Sequence, residues 1–325
     1  MSAIPPRVSI LMPAYNVGEY IIEAIDSVRK QLFTDWELIV LNDGSSDNTL
    51  EIAQAMAGEE PRIRVYSNPG NLGMLKAWNR GIELCEAPYF VKLDADDTWH
   101  PEMLTEAVRV LEKYPEVGLV FTRFINIDGH GNELPESDIP LPAFARNRAF
   151  SCVPLVQNAP GRMLSYPVLR QGLSVMRREV FDRVGTYRFL LTPETQAATD
   201  TEFYFRVGAH FQIFCIDKVL YYYRVHEHSI SATDRDSNLT EQKLYEIKIS
   251  ILRYYAKEGL LKKNEADHFI RQAQDEYDRT KVARYWKDGQ KIRSIRLISQ
   301  LLYRAPLSTF LFYFKRIKEK ISLYV

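Results

Sequence analysis

Along the first 125 residues, short apolar runs alternate with helical stripes. Val8-Ser9-Ile10-Leu11-Met12 reads as a buried strand that Pro13-Ala14-Tyr15-Asn16 brings to an end. From Gly18 to Leu32, Ile21, Ile22, Ile25, Val28 and Leu32 fall at helical spacing. Trp36 to Leu41 predicts a second strand, followed by the turn formers Asn42 to Asn48, in which Asp47 is placed to cap a helix from Thr49 to Met56. Arg62 to Tyr66 predicts a third strand, and Asn71-Leu72-Gly73 opens a helix reaching Cys85. Tyr89 to Leu93, apolar except for Lys92, predicts a fourth, central strand. Pro101 suits the start of a helix ending near Tyr114-Pro115, and Val117 to Phe121 predicts a fifth strand.

Strands and helices alternating at this spacing predict an α/β chain with a mostly parallel sheet covered on both faces. Ligands of such sheets bind outside the carboxyl ends of the strands. Three loops converge there: Pro13 to Asn16, Asn42 to Asp47, and Asp94 to Asp97.

The pattern breaks between Asp128 and Arg170, where several prolines with Gly129, Gly131 and Gly161 predict a long loop region holding a short strand or helix. It resumes with a strand from Gly172 to Met176 and a helix from Arg178 to Val184. A further helix starts at Thr199-Asp200, and Gln212 to Ile216 with Val219 to Val225 predict a strand pair. Beyond Asn238 almost everything predicts helix. The organisation expected is a main domain over residues 1–238, in two parts of about 1–125 and 126–238, with a basic helical extension over 239–325.

Candidate chemistry concentrates in Asp94-Ala95-Asp96-Asp97. Carboxylates this close repel one another unless a cation or hydrogen-bond donors sit among them. Hard ions such as Mg²⁺ or Mn²⁺ take oxygen ligands and often bind one or two carboxylates plus substrate phosphates. With a single residue between them, Asp94 and Asp96 would point the same way in an extended segment. An acidic turn ahead of the Pro101 helix is the plainer alternative.

Several of these segments together resemble the family 2 glycosyltransferases. They are Val8 to Asn16, Leu41-Asn42-Asp43-Gly44-Ser45-Ser46-Asp47, Asn71-Leu72-Gly73, Leu93 to Asp97, Asp200 with Arg206, and Tyr223-Arg224-Val225-His226. The resemblance covers most of the first 235 residues and implies a GT-A type fold, a mixed, mostly parallel sheet flanked by helices. It also implies an inverting transfer from a nucleotide-diphosphate sugar, with UDP-sugars favoured, to a saccharide or lipid-linked acceptor, in polysaccharide or glycolipid biosynthesis.

By the same resemblance, Pro13, Ala14, Tyr15 and Asn16 would lie against the nucleotide, and Asp43 would accept a hydrogen bond from the base. Asp94, with Ala95 beside it, would approach the ribose and the metal. Asp96 would be a metal ligand, and His226 would reach metal or phosphate. The cofactor implied is Mn²⁺ or Mg²⁺. Asp200 would be the base that takes the proton from the acceptor hydroxyl, a helix N-cap being its alternative. Family members usually carry an acidic pair here; Thr199 stands at the first position, which puts the acceptor class in question.

Composition narrows the alternatives. Lys+Arg and Asp+Glu each total 42, with 46% hydrophobic residues, an ordinary globular balance that gives no sign of nucleic acid. From Arg279 onward, twelve bases stand against Asp288 and Glu319, a net charge of +10 on a body that then carries −10. Arg284, Trp286, Lys287, Lys291, Arg293, Arg296, Tyr303 and Arg304 interleave bases with aromatics. Leu307, Phe310, Leu311, Phe314, Ile317 and Ile321 follow at helical spacing. A basic amphipathic tail predicts contact with an anionic membrane surface, and packing on the catalytic domain is the competing expectation.

Cys85, Cys152 and Cys215 are expected as buried free thiols in a reducing, cytoplasmic setting, peripheral at the inner face of the membrane. A nucleotidyltransferase would want a glycine-rich basic loop where Pro13 to Asn16 stands, and a dehydrogenase Gly-Xaa-Gly-Xaa-Xaa-Gly. A silent nucleotide-sugar-binding module is favoured only by Thr199.

Overall fold

A computed structural model describes residues 5–135, 141–158, 174–188, 199–227 and 237–304. Among these described residues, nine strands form one sheet in the order β3-β2-β1-β4-β8-β6-β9-β5, with β7 pairing β9. They are β1 (Val8–Ala14), β2 (Trp36–Asn42), β3 (Ile63–Ser67), β4 (Tyr89–Lys92), β5 (Thr98–Trp99), β6 (Val117–Ile127), β7 (Ala149–Phe150), β8 (Ser174–Arg177) and β9 (Gln212–Arg224). β1 to β4 are parallel neighbours, and β8 is antiparallel to both β4 and β6. β9 runs parallel to β6. The sheet is therefore mixed and mostly parallel, as the alternating pattern predicts.

The helices are α1 (Ile21–Arg29), α2 (Thr49–Glu59), α3 (Met74–Leu84), α4 (Met103–Lys113), α5 (Val153–Asn158), α6 (Glu179–Val184), α7 (Thr199–Gly208), α8 (Ser237–Lys257), α9 (Lys263–Lys287) and α10 (Lys291–Arg304). Alternate residues of each strand serve opposite faces of the sheet. Ile10, Met12 and Val40 pack with α1, α2 and α4, whereas Leu11, Ile39 and Leu41 pack with α3, α6, α7 and α8. Gly81 of α3 is where the helix meets β1: an added Cβ would sit 2.3 Å from a Leu11 methyl.

Several expectations are corrected. The helix after β1 stops at Arg29, so Ile22 (49% exposed) and Leu32 (65% exposed) lie outside the core that their spacing implied. The strand pair predicted over residues 212–225 is one strand. Asp217 breaks the apolar run, but Arg123 and Arg146 neutralise it, and β9 continues past it through register shifts against β6. Between the acidic turn and its helix lies β5, which pairs with Tyr221 and Tyr222. Part of the loop region at 128–170 and the last 21 residues, including Phe310 and Phe314, lie outside the described residues.

The C-terminal helices build on the body. Ile247, Ile251, Leu252 and Tyr255 of α8 belong to the same buried cluster as α7. The Tyr255 hydroxyl donates to the Phe205 carbonyl at 3.0 Å, and Ser250 donates to Glu202 at 3.1 Å. α10 folds back on α9, burying Leu301 and donating from Ser294 Oγ to the Val282 carbonyl. Asp278, buried, pairs with Lys281 and Arg304, and Arg284 pairs with Glu241. These bases of the predicted tail are therefore spent within the structure. Cys85, Cys152 and Cys215 are buried and free.

Because Ile251 is fully buried in the cluster that α8 shares with α7, Ile251→Ala should lower unfolding free energy by about 2–5 kcal/mol. Urea denaturation checks this; a loss under about 1 kcal/mol would mean that α8 is a loosely attached appendage.

Candidate active site

Parallel pairing brings the predicted loops to one edge of the sheet. Ala14 lies opposite Asn42 in register, Asp43 N–H donates to the Ala14 carbonyl at 2.8 Å, and Leu93 N–H donates to Leu11. The turns after β1 and β2 are laced together. Asn16 N–H donates to Ser45 Oγ at 3.0 Å, and Asn16 Oδ1 accepts from Ser46 N–H at 2.8 Å. Asn16 adopts a positive φ of 51° to make these bonds. Asp47 accepts from Gly18 N–H and Thr49 N–H, so it clamps the first loop as well as the start of α2. Tyr15 projects with 47% exposure, Pro13 is half-buried and Ala14 is buried.

Asp43 is 4% exposed and largely occupied by its own chain. Its oxygens accept from Asn68 Nδ2, Leu72 N–H and Gly73 N–H, at 2.6, 3.0 and 3.0 Å. Arg80 in turn donates to Asn68 Oδ1. The carboxylate thus organises the 68–73 loop beside the carboxyl-end edge of the sheet. Gly44 permits the approach: its φ is 73°, and a Cβ there would meet the Gly70 backbone at 2.6 Å. Lys76 remains exposed.

The three carboxylates at the end of β4 have different partners. Asp97 N–H donates to the Asp94 carbonyl, closing a turn, so Asp94 and Asp96 do not share the orientation that an extended segment would impose. Asp94 pairs with Lys92 at 2.5 Å. Lys92, the one charge in an otherwise apolar strand, is buried with its ammonium 4.3 Å from the centre of the Trp78 ring. Asp96 accepts from His226 Nε2 at 3.0 Å. Asp97, 1% exposed, accepts from the Tyr221 hydroxyl and from Arg224 N–H. Burial, reinforced by Asp96 and Asp94, pushes its carboxyl well above the ordinary value. Ala95 is buried among apolar side chains, which leaves only its backbone to meet a ligand.

Arg224 ties this turn to the rest of the site. Its side chain is fully buried. Nε donates to the Asp96 carbonyl, Nη1 to the carbonyls of Asp128 and Gly129, and Nη2 to Glu23 of α1. Tyr20 lies 5.0 Å from the guanidinium and 4.8 Å from the His226 ring. The carboxylate that answers Arg224 is thus Glu23, which helical periodicity alone marks only as solvent-facing.

Asp200 is the second residue of α7, not the residue that precedes it, and its Oδ1 accepts from Thr201 N–H at 2.7 Å. Burial raises its pKa, with Asp94 adding to the rise and Lys92 opposing it. Arg206 is buried against Glu202 and donates to the carbonyls of Val184 and Thr186, so it anchors α7 rather than facing a ligand. Sequence analysis missed Lys92 and Glu23 as members of the site. The signal for Lys92 was visible, since a buried strand carries a lysine only where a partner waits.

Among the described residues no three His, Cys, Asp or Glu side chains converge as a ready-made metal cage. Asp96 and His226 fit two positions of a cation whose other ligands come from a diphosphate. His226 Nδ1 is buried with no partner among the described residues.

Asp97→Ala should cost about 1–3 kcal/mol for each donor left unpaired, Tyr221 O–H and Arg224 N–H, whereas Asp97→Asn can keep both contacts. With its pKa raised in the folded state, Asp97 binds more proton folded than unfolded as pH rises above the ordinary carboxylate value. Stability from this group therefore falls as pH rises through the raised value, and Asp97→Asn should flatten that slope. Denaturation midpoints across pH test both statements.

Residues 9–185 match the family described as glycosyl transferase family 2. Over 143 residues the chain is 34% identical to a chondroitin synthase of Pasteurella multocida, covering 44% of this chain but only 15% of that protein. The fold is similar to that of S. aureus TarS residues 1–349 in complex with UDP-GlcNAc, with a TM-score of 0.64 and 18% identity, over 93% of this chain and 82% of that one. It is also similar to the mannosyltransferase PcManGT of Pyrobaculum calidifontis in complex with GDP-Man and Mn²⁺, with a TM-score of 0.52 and 17% identity, over 97% and 81% of the two chains. The match spans more than half of the sequence and takes in the loops after β1, β2 and β4, so the chain belongs to glycosyl transferase family 2 and has the GT-A type fold.

Proposed function

We propose that this glycosyltransferase moves a sugar, with inversion, from a UDP-sugar to a hydroxyl of a saccharide acceptor, free or lipid-linked, in polysaccharide or glycolipid biosynthesis. The observation that carries the reading is the one sheet edge that presents Asp43, Asp94 and Asp96, with the half-buried Asp200 of α7 near enough for Asp94 and Lys92 to shift its pKa. The UDP-GlcNAc in the TarS complex supports a uridine nucleotide, and the chondroitin synthase supports a saccharide acceptor.

In this reading the edge from Pro13 to Asn16 flanks the base and ribose, and the loop that Asp43 orders, residues 68–73, closes the other side. Residues 1–125 form the nucleotide half and 126–238 the acceptor half. Asp96 and His226, with Asp94, would hold Mn²⁺ or Mg²⁺, which supplies positive charge to the departing diphosphate. Asp200 accepts the proton of the attacking hydroxyl, and burial keeps its basicity above that of a solvated carboxylate. Lys92, paired with Asp94, also lowers the pKa of Asp200, where the two carboxylates would otherwise oppose each other's ionisation. A lipid-linked acceptor would place the enzyme in the cytoplasm, at the inner face of the membrane.

Asp96→Ala should abolish metal-dependent binding of UDP in calorimetry while leaving the thermal transition in place; undiminished affinity would remove Asp96 from the metal site. Asp200→Asn should keep donor binding and lose transfer by about a hundredfold or more. Since protonated Asp200 cannot act as base, transfer should decline as pH falls through its raised pKa, above the ordinary aspartate value of 3.8. Transfer by the Asn variant within a few fold of the native rate would place the base elsewhere.

A further inference from the structure

We propose that the outer face of α10 is a docking surface for an anionic membrane. The inner face of this helix is accounted for: Ser294 and Leu301 are buried against α9, with Leu297 and Ile298 half-buried beside them. A second apolar stripe points away from the protein. Ile292 is 85% exposed, Ile295 57%, Leu302 40% and Tyr303 92%. Their spacing places all four on one side of the helix. A helix apolar on two faces ordinarily has both covered, and no described residue covers this one.

The charges beside the stripe decide among the occupants. Lys287, Lys291, Arg293 and Arg296 are exposed, and none forms an ion pair with a described carboxylate. This sets them apart from Lys281, Arg284 and Arg304, which are engaged within the fold. The 21 residues after Arg304 carry Lys315, Arg316, Lys318 and Lys320 against Glu319, so that segment, folded back on the stripe, would add positive charge to positive charge. A second copy meeting this face symmetrically would bring the same bases against themselves. An anionic lipid layer satisfies both features, taking the apolar side chains into its interface and the bases onto its headgroups. No described helix is long and apolar enough to cross a membrane, so the contact is one that lies on the surface.

The proposal rests on the proposed function only for the expectation that the acceptor is lipid-linked; the surface itself is read from α10. The test is sedimentation of the full chain with vesicles of phosphatidylcholine and phosphatidylglycerol, with phosphatidylcholine vesicles as control. The native protein should sediment with the anionic vesicles alone and be released as salt rises. Replacing three exposed side chains together, Ile292→Ser, Ile295→Ser and Leu302→Ser, should lower partitioning roughly tenfold or more, with the melting temperature and UDP affinity unchanged. Arg293→Gln and Arg296→Gln should each lower it about fivefold, the equivalent of ~1 kcal/mol.

Three results would overturn the proposal. They are no sedimentation of the native chain at low salt, undiminished binding by the triple variant, or a concentration-dependent dimer that the triple variant abolishes without any vesicle binding. UDP affinity, measured alongside, keeps failure of the donor reading separate from failure of the surface.

Discussion

The site depends on one buried cation. Arg224 ends the long strand β9 with its guanidinium wholly out of water, and its donors end on the Asp96 carbonyl, the carbonyls of Asp128 and Gly129, and Glu23. A buried guanidinium is tolerated only when its N–H groups and its charge are answered. Answering them binds four segments distant in sequence: the acidic turn, α1, the turn after β6 and the end of β9. Its own backbone N–H also holds Asp97, and Tyr221, three residues earlier on the same strand, holds the other oxygen. The acidic turn is thus pinned from beneath before any ligand arrives, and preorganisation of this kind lowers the reorganisation that binding would demand.

Environment, more than residue type, divides the carboxylates among roles. Asp97 is sealed under β9 and serves the turn. Asp94 sits with Lys92, and Asp96 is left facing His226 at the rim. Asp200 comes from another layer of the fold, and burial lifts its basicity. In the proposed reading, groups of one chemical kind, separated by desolvation and by neighbouring charge, would supply a ligand, a strut and a base.

The C-terminal helices show the same division at larger scale. α8 is core, since its apolar face completes the cluster that α3, α6 and α7 begin on one side of the sheet. α9 and α10 are joined by a few buried groups and internal ion pairs, and their outer surface keeps its bases in water. One amphipathic pattern therefore has two destinations, the protein interior for α8 and an outward face for α10.

Much of this was legible in the chain. Runs such as Ile10-Leu11-Met12 and Ile39-Val40-Leu41 specify strands buried on both faces, because each residue is apolar whichever face it meets, and the turn formers after them mark a ligand-binding edge. The family followed from those loops. What sequence could not specify was partnership across long separations. Periodicity made Ile22 and Leu32 look buried, yet they stay 49% and 65% exposed among the described residues. The break at Asp217 looked like a turn because its neutralising partners, Arg123 and Arg146, are far away in the chain. Asp94, Asp96 and Asp97 are near-identical in sequence context, yet Asp94 pairs with Lys92 of its own strand, whereas Asp96 and Asp97 acquire their partners only when β9 and His226 arrive. Local pattern determines which segments are strands, helices and turns; desolvation and pairing between distant segments determine what each charge in them does, and those exist only in the assembled fold.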